Sequence, residues 1–164
     1  MAALLALAGC DTMSKGPYAQ AQLQSAAGAK VWGRVSFHEV EGKTYVRGDI
    51  NGLPSNRQFG FHVHEKGDCS AADFTSAGGH FNPGAKPHGH YDKPESHAGD
   101  LPNLSSNGEG VAVFSYTTAA LTVAPGPRSV IDRAVVVHQS ADDYASQPAG
   151  NSGPRIACGI IRAA

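Results

Sequence analysis

Apolar and polar residues alternate along much of the chain, with the two-residue period of half-buried strands. Lys30 to His38 places Val31, Gly33, Val35 and Phe37 on one face, and Trp32, Arg34, Ser36 and His38 on the other. Glu41-Gly42-Lys43 predicts a turn. Thr44 to Ile50 then predicts a second strand, with Thr44, Val46 and Ile50 on one side. Asn51-Gly52-Leu53-Pro54 breaks it. Arg57 to Glu65 predicts a third strand, whose Phe59, Phe61 and Val63 share an apolar face. Gly60, His62 and His64 share the opposite face. The two imidazoles stand about 7 Å apart along such a strand, close enough to converge on one metal. Strands are predicted again at Gly110 to Thr117, Leu121 to Val123, Ser129 to His138 and Arg155 to Ile161. No clear amphipathic helix interrupts them. The pattern predicts an all-β antiparallel sandwich or flattened barrel.

Two stretches depart from this alternation. From Lys66 to about Asn107 the periodicity vanishes, and Gly, Pro, Ser, Asp and four histidines take its place. So long an irregular segment inside a compact domain implies a functional loop held by something other than regular structure. At the N-terminus, residues 2–9 are a short apolar run ending at Cys10, like the tail of a signal peptide. Leu7-Ala8-Gly9-Cys10 resembles the lipobox of bacterial lipoproteins, which places the mature protein in the periplasm, anchored to a membrane through acylated Cys10. Residues 11–27 are small and polar and read as a flexible tether, leaving 28–164 as the folded domain.

The chain has 164 residues and a formal net charge of −1, enough for one core and without the basic patch that nucleic acid requires. Beyond residue 10 no apolar run is long enough for a membrane-spanning helix. With Cys10 set aside, two cysteines remain, Cys69 and Cys158. In an exported protein that even number suggests a disulfide.

The histidines carry the chemistry. Besides His62 and His64 there are His80, His88 and His97 in the long loop, Asp100 three positions after the last, and His138 at the end of a strand. No CxxC is present, so a thiolate zinc finger is excluded. Imidazole-rich sites suit copper and zinc. Three histidines and an aspartate complete a tetrahedral zinc set, and the remaining histidines suit a tetragonal copper site. Six histidines and one aspartate fill both sites only if one imidazole serves two metals through both ring nitrogens. His38 and His90 read as ordinary loop or surface residues.

Two segments sharpen this into a resemblance. Gly60-Phe-His-Val-His-Glu-Lys-Gly-Asp-Cys-Ser70 and Gly150-Asn-Ser-Gly-Pro-Arg-Ile-Ala-Cys-Gly-Ile-Ile161 resemble the two signatures of the copper/zinc superoxide dismutases. Gly79-His-Phe-Asn-Pro83, His88, His97-Ala-Gly-Asp100 and Val137-His138 fall between them at the family's spacings. The resemblance spans roughly residues 28–162, and the Tyr91-Asp-Lys-Pro-Glu95 segment is similar to the bacterial exported branch. It implies a Greek-key, immunoglobulin-like β-sandwich that converts superoxide to oxygen and hydrogen peroxide. It implies copper held by His62, His64, His80 and His138, and zinc held by His80, His88, His97 and Asp100, one of each per subunit. His80 would be the bridge and a catalytic residue. Asp142 would hydrogen-bond ligands of both sites, Arg155 would dock the anion beside copper, and Cys69 would pair with Cys158. Family members occur as homodimers and as monomers, and a homodimer is carried as an expectation.

The loop from Gln139 to Pro154 carries no Lys, Arg or Glu, so guidance of the anionic substrate falls to Lys66, with Lys86 and Lys93 behind it. The rival reading is a periplasmic copper-binding or copper-delivery protein without turnover. Dismutase-like domains of that kind lose copper ligands or the arginine, and this sequence keeps them.

Overall fold

The computed structural model of the protein describes residues 16–164. Cys10, the apolar run before it and the first residues of the expected tether lie outside that range. The later tether residues are not a tether. Tyr18–Ser25 is a strand, β1, whose Ala19, Ala21 and Leu23 point into the core. The two-residue period was present in the sequence, but two of its three apolar positions are alanines set among glutamines.

β1 is also the strand on which the sheet turns. Tyr18 to Leu23 pair with β2 (Trp32–Val40), Gln24 and Ser25 pair with β9 (Arg155–Ile160), and Ala19 and Gln20 also take β10 (Arg162–Ala163). β2 pairs with β3 (Lys43–Asn51), and β3 with β7 (Ala112–Thr118). On the other side β9 pairs with β8 (Ala134–His138), and β8 with β5 (Phe61–His64). All of these ladders are antiparallel. The order β5-β8-β9-β1-β2-β3-β7 curls into a half-barrel around Val35, Phe37, Val46, Ile50, Phe61, Val63, Val135, Val137 and Leu121. Apart from Leu121, which follows β7, these side chains come from alternate positions of facing strands, so one core fills the curl.

Several predicted strands are shorter than expected. The third breaks at Gly60 into β4 (Gln58–Phe59) and β5. There the Gly60 N–H donates to Ser140 O at 2.7 Å and the Gly60 carbonyl accepts from His138 N at 2.8 Å. Leu121 to Val123 is reduced to a single bridge between Thr122 and Ser129, and β8 begins only at Ala134.

The long loop has more order than its composition shows. It contains a 3-10 turn at Thr75–Ala77 and β6 (Leu104–Ser105), which pairs with β4. It also runs back beside β5 twice. Val63 N–H donates to Gly99 O at 2.9 Å, Phe81 N–H to Val63 O at 2.8 Å, and Gly99 N–H to Phe81 O at 2.9 Å. A Cβ at Gly99 would stand 2.2 Å from Val63 O, so this close approach admits only glycine. The disulfide Cys69–Cys158 ties the same loop to β9 across 89 positions.

Candidate metal centre

The backbone stitching decides where the donors stand. Isolated bridges set His64 opposite His80, and His62 opposite Asp100. His138 ends β8, the strand beside β5. Two clusters result. His62, His64, His80 and His138 each offer a donor atom, and the four atoms lie within 4.8 Å of one another. His80, His88, His97 and Asp100 do the same, and His80 belongs to both clusters. The rings crowd together, with His62 stacked on His80 at 3.9 Å between centroids and His64 on His138 at 5.5 Å.

The hydrogen bonds assign each ring a free nitrogen. His64 Nδ1 faces Gly78 O at 2.9 Å, and His138 Nδ1 faces Gly153 O at 3.1 Å, so both Nδ1 atoms carry protons. Their Nε2 atoms then present lone pairs to each other at 3.3 Å. His62 Nε2 is 2.7 Å from Asp142 Oδ2, which leaves Nδ1 free. His62 Nδ1 and His80 Nε2 are buried with no hydrogen-bond partner. Buried polar atoms are almost always paired, and lone pairs do not face one another without a cation between them. The first cluster therefore fits a metal with several imidazole ligands.

In the second cluster one carboxylate oxygen gathers three rings. Asp100 Oδ1 is 2.8 Å from His80 Nδ1, 3.1 Å from His88 Nδ1 and 3.2 Å from His97 Nδ1. Asp100 Oδ2 accepts from the backbone N–H groups of Gly89 and His97. Three nitrogens and an oxygen in this arrangement fit zinc.

Asp142 joins the clusters from outside. Its Oδ2 is 2.7 Å from His62 Nε2, its Oδ1 is 3.0 Å from His88 Nε2, and Oδ1 also accepts from Tyr144 N. Asn103 holds the Asp142 backbone from both sides, donating to its carbonyl and accepting from its N–H. Gln147 pairs with the backbone of His88 through two hydrogen bonds of 2.8 Å.

Protonation states suit metal binding. Burial pushes the His80 imidazole down to about 4 against the pull of Asp100. Burial pushes His138 down to about 3, with the neighbouring charges of His62 and His80 adding to the effect. Burial lowers His62 and His64 as well. Burial opposes ionisation of Asp100 and Asp142, but hydrogen bonds from the histidines overcome it and hold both carboxyls well below their usual range. His88 runs the other way. Burial would lower it, yet its bonds to Asp100 and Asp142 raise it to about 9, so it must release a proton before ligating.

Arg155 begins β9 beside the first cluster. Its Nη1 donates to Phe74 O at 2.5 Å and its Nη2 to Gly78 O at 2.6 Å. The Gly78 carbonyl thus orients both Arg155 and His64. Sequence reasoning missed Asn103, Gln147 and the Phe74 and Gly78 carbonyls. The first two are common polar residues in irregular segments, and carbonyls leave no trace in residue type. His38 packs edge-on against Tyr18 on the outer sheet, and His90 pairs with Asp92, so neither joins a cluster. Lys66 is exposed just after β5, whereas Lys86 and Lys93 line a cleft that reaches the second cluster only at His97.

Comparison with known proteins agrees with this geometry. The family described as Copper/zinc superoxide dismutase (SODC) matches residues 31–161. Superoxide dismutase [Cu-Zn] 2 of Aquifex aeolicus (strain VF5) is 38% identical over 148 residues, which cover 88% of this chain and 86% of that protein. Superoxide dismutase [Cu-Zn] 2 of Brassica juncea is 42% identical over 148 residues, covering 86% and 94%. Among solved structures, the clock protein EA4 superposes with a TM-score of 0.82 at 38% identity, covering 91% of this chain and 96% of that one. A match of this length, over a fold that draws two donor clusters onto one histidine, shows that the chain belongs to the copper/zinc superoxide dismutase family.

Proposed function

We propose that the chain converts superoxide to oxygen and hydrogen peroxide, with copper held by His62, His64, His80 and His138, and zinc by His80, His88, His97 and Asp100. The observation that carries this reading is the shared histidine. His80 Nδ1 sits 2.8 Å from Asp100 Oδ1, while its Nε2 is buried without a partner. A ring serving two cations through both nitrogens is deprotonated, which two adjacent cations favour. Copper held there would supply a one-electron couple for dismutation, in which two superoxides and two protons give oxygen and hydrogen peroxide, and zinc would supply charge without redox chemistry. His80 Nε2 is the protein atom suited to hold one of those protons, with Nδ1 kept at the Asp100 side. Asp142 keeps the His62 and His88 rings in the orientation that their ligand nitrogens require.

Arg155 docks the anion. Its charge is permanent, and two of its donors are used on the Phe74 and Gly78 carbonyls, leaving others for a diatomic anion. Lys66 supplies guidance from the rim. Pulse radiolysis of the protein loaded with both metals tests the reading. Repeated turnover, abolished by removing copper, is the expected result. Copper binding without turnover would favour the rival, an envelope protein that buffers or delivers copper.

The proposed setting is antioxidant defence in the cell envelope, with acylated Cys10 as a membrane anchor. β1 begins at Tyr18, so only a short stretch separates Cys10 from the domain. Seven intervening residues span at most about 25 Å even when fully extended, which would hold the domain near the bilayer. Cys10→Ser should move the protein to the soluble fraction, and mass spectrometry should find the wild-type mature chain starting at a lipidated Cys10. An uncleaved, soluble wild type would refute the anchor. Sedimentation of the metal-loaded protein decides the expected homodimer.

A further inference from the structure

Bordering the second donor cluster at His97, a cleft of about 690 Å³ opens between the long loop and the far end of β7 with the segment after it. Three cations line it: Lys86 and Lys93 from the loop, and Arg128 from the facing segment. None of them is within ion-pair distance of a carboxylate among the described residues. Lys86 donates to Pro94 O and Arg128 to Ala119 O, so two of the three head groups rest on neutral carbonyls. The one carboxylate lining the cleft, Asp92, is held by His90 Nδ1 at 2.7 Å. Three cations and one carboxylate therefore line the cleft, and positive charge is in excess there.

The same walls are largely apolar. Tyr91 and Tyr116 meet edge to face with centroids 5.5 Å apart, and prolines and alanines add to the apolar lining beside Thr117, Thr118 and His97. Superoxide is a diatomic anion and needs no cavity of this size or apolarity. Excess cations beside aromatic walls suit a larger anion with a flat apolar body, which gains ring contact from the tyrosines and charge contact from the cations.

We propose that this cleft binds a small aromatic carboxylate, at a site that meets the metal clusters only at His97. The assignment does not rest on dismutation. The probe is 1-naphthoate, titrated into the metal-loaded protein and followed by calorimetry and backbone amide NMR. The expected result is one saturable site per chain, with shifts concentrated at Tyr91, Lys93, Tyr116 and Arg128. Lys93→Glu combined with Arg128→Glu should weaken binding about tenfold or more, and the uncharged analogue 1-naphthalenemethanol should lose a similar factor. Lys30→Glu, at the opposite end of the sheet, should leave the affinity unchanged. Metal content and near-ultraviolet circular dichroism check that the double variant is folded, and Arg128→Gln alone repeats the test with a milder change. Absence of saturable binding, shifts centred elsewhere, or equal affinity for charged and uncharged probes would overturn the proposal.

Discussion

Asp142 and Arg155 act by different physics on the same site. Asp142 touches no proposed metal position, yet it fixes two ligand rings, at 2.7 and 3.0 Å, and its own backbone is clamped by Asn103. Asp142→Asn keeps the shape but removes the charge and offers only one acceptor. Both rings then lose the partner that sets their tautomer, and metal affinity should fall about 10- to 100-fold by chelator competition. Unchanged affinity would reduce Asp142 to a turn residue. Arg155 makes no contact with the ligands' donor nitrogens, so Arg155→Ala should retain both metals. It removes charge-assisted hydrogen bonds to the anion, and catalytic efficiency should fall about 10- to 100-fold, with weaker inhibition by azide. Equal rates in the two proteins would leave Arg155 only a structural role.

The elements divide the labour between a rigid half and a tied half. β5 and β8 are buried strands, and they present His62, His64 and His138 from a sheet that cannot shift without opening the core. His80, His88, His97 and Asp100 come from a loop that needs fastening. Three backbone bonds through Val63, Phe81 and Gly99 fasten one end, the Cys69–Cys158 disulfide another, and Gln147 a third. The disulfide also holds the segment whose Phe74 and Gly78 carbonyls orient Arg155. Cys69→Ser should therefore lower stability by up to roughly 4 to 5 kcal/mol in the chain-entropy picture, measured by urea unfolding. It should also lower activity more than metal content. Equal losses of the two would place the disulfide's effect on folding alone. The legible part of this arrangement was its side chains. Alternation marked β2, β3 and β5, and donor type marked all seven proposed ligands. β1 was obscured because Ala19 and Ala21 carry so little apolar signal between glutamines. The break at Gly60 and the loop's return beside β5 depend on backbone partners distant in sequence, which no local pattern encodes.

Across the whole molecule, the ligand clusters make the metal-free fold sensitive to pH on both sides of neutrality. His80 and His138 are buried and depressed to about 4 and about 3, below their ordinary 6.5. A group with a depressed folded pKa favours the neutral native form. Its contribution is complete above 6.5 and is lost as pH falls toward the folded value, because the unfolded chain takes up the proton first. Asp100 and Asp142, also depressed, lose their contribution further down, below the ordinary carboxylate range. His88 has the opposite sign. Raised to about 9, it contributes fully below 6.5 and loses that contribution as pH climbs from 6.5 through 9. The metal-free protein should thus be most stable close to pH 6.5, with a steep decline toward pH 4 and a shallower one toward pH 9. Bound metals take the place of the protons, so loading both should flatten the alkaline side, where His88 is already deprotonated, and leave acid as the condition that releases metal. Urea midpoints at these three pH values, with and without metals, measure both effects. A metal-free midpoint at pH 4 equal to that at pH 6.5 would mean that the buried imidazoles do not hold their neutral form in the folded state.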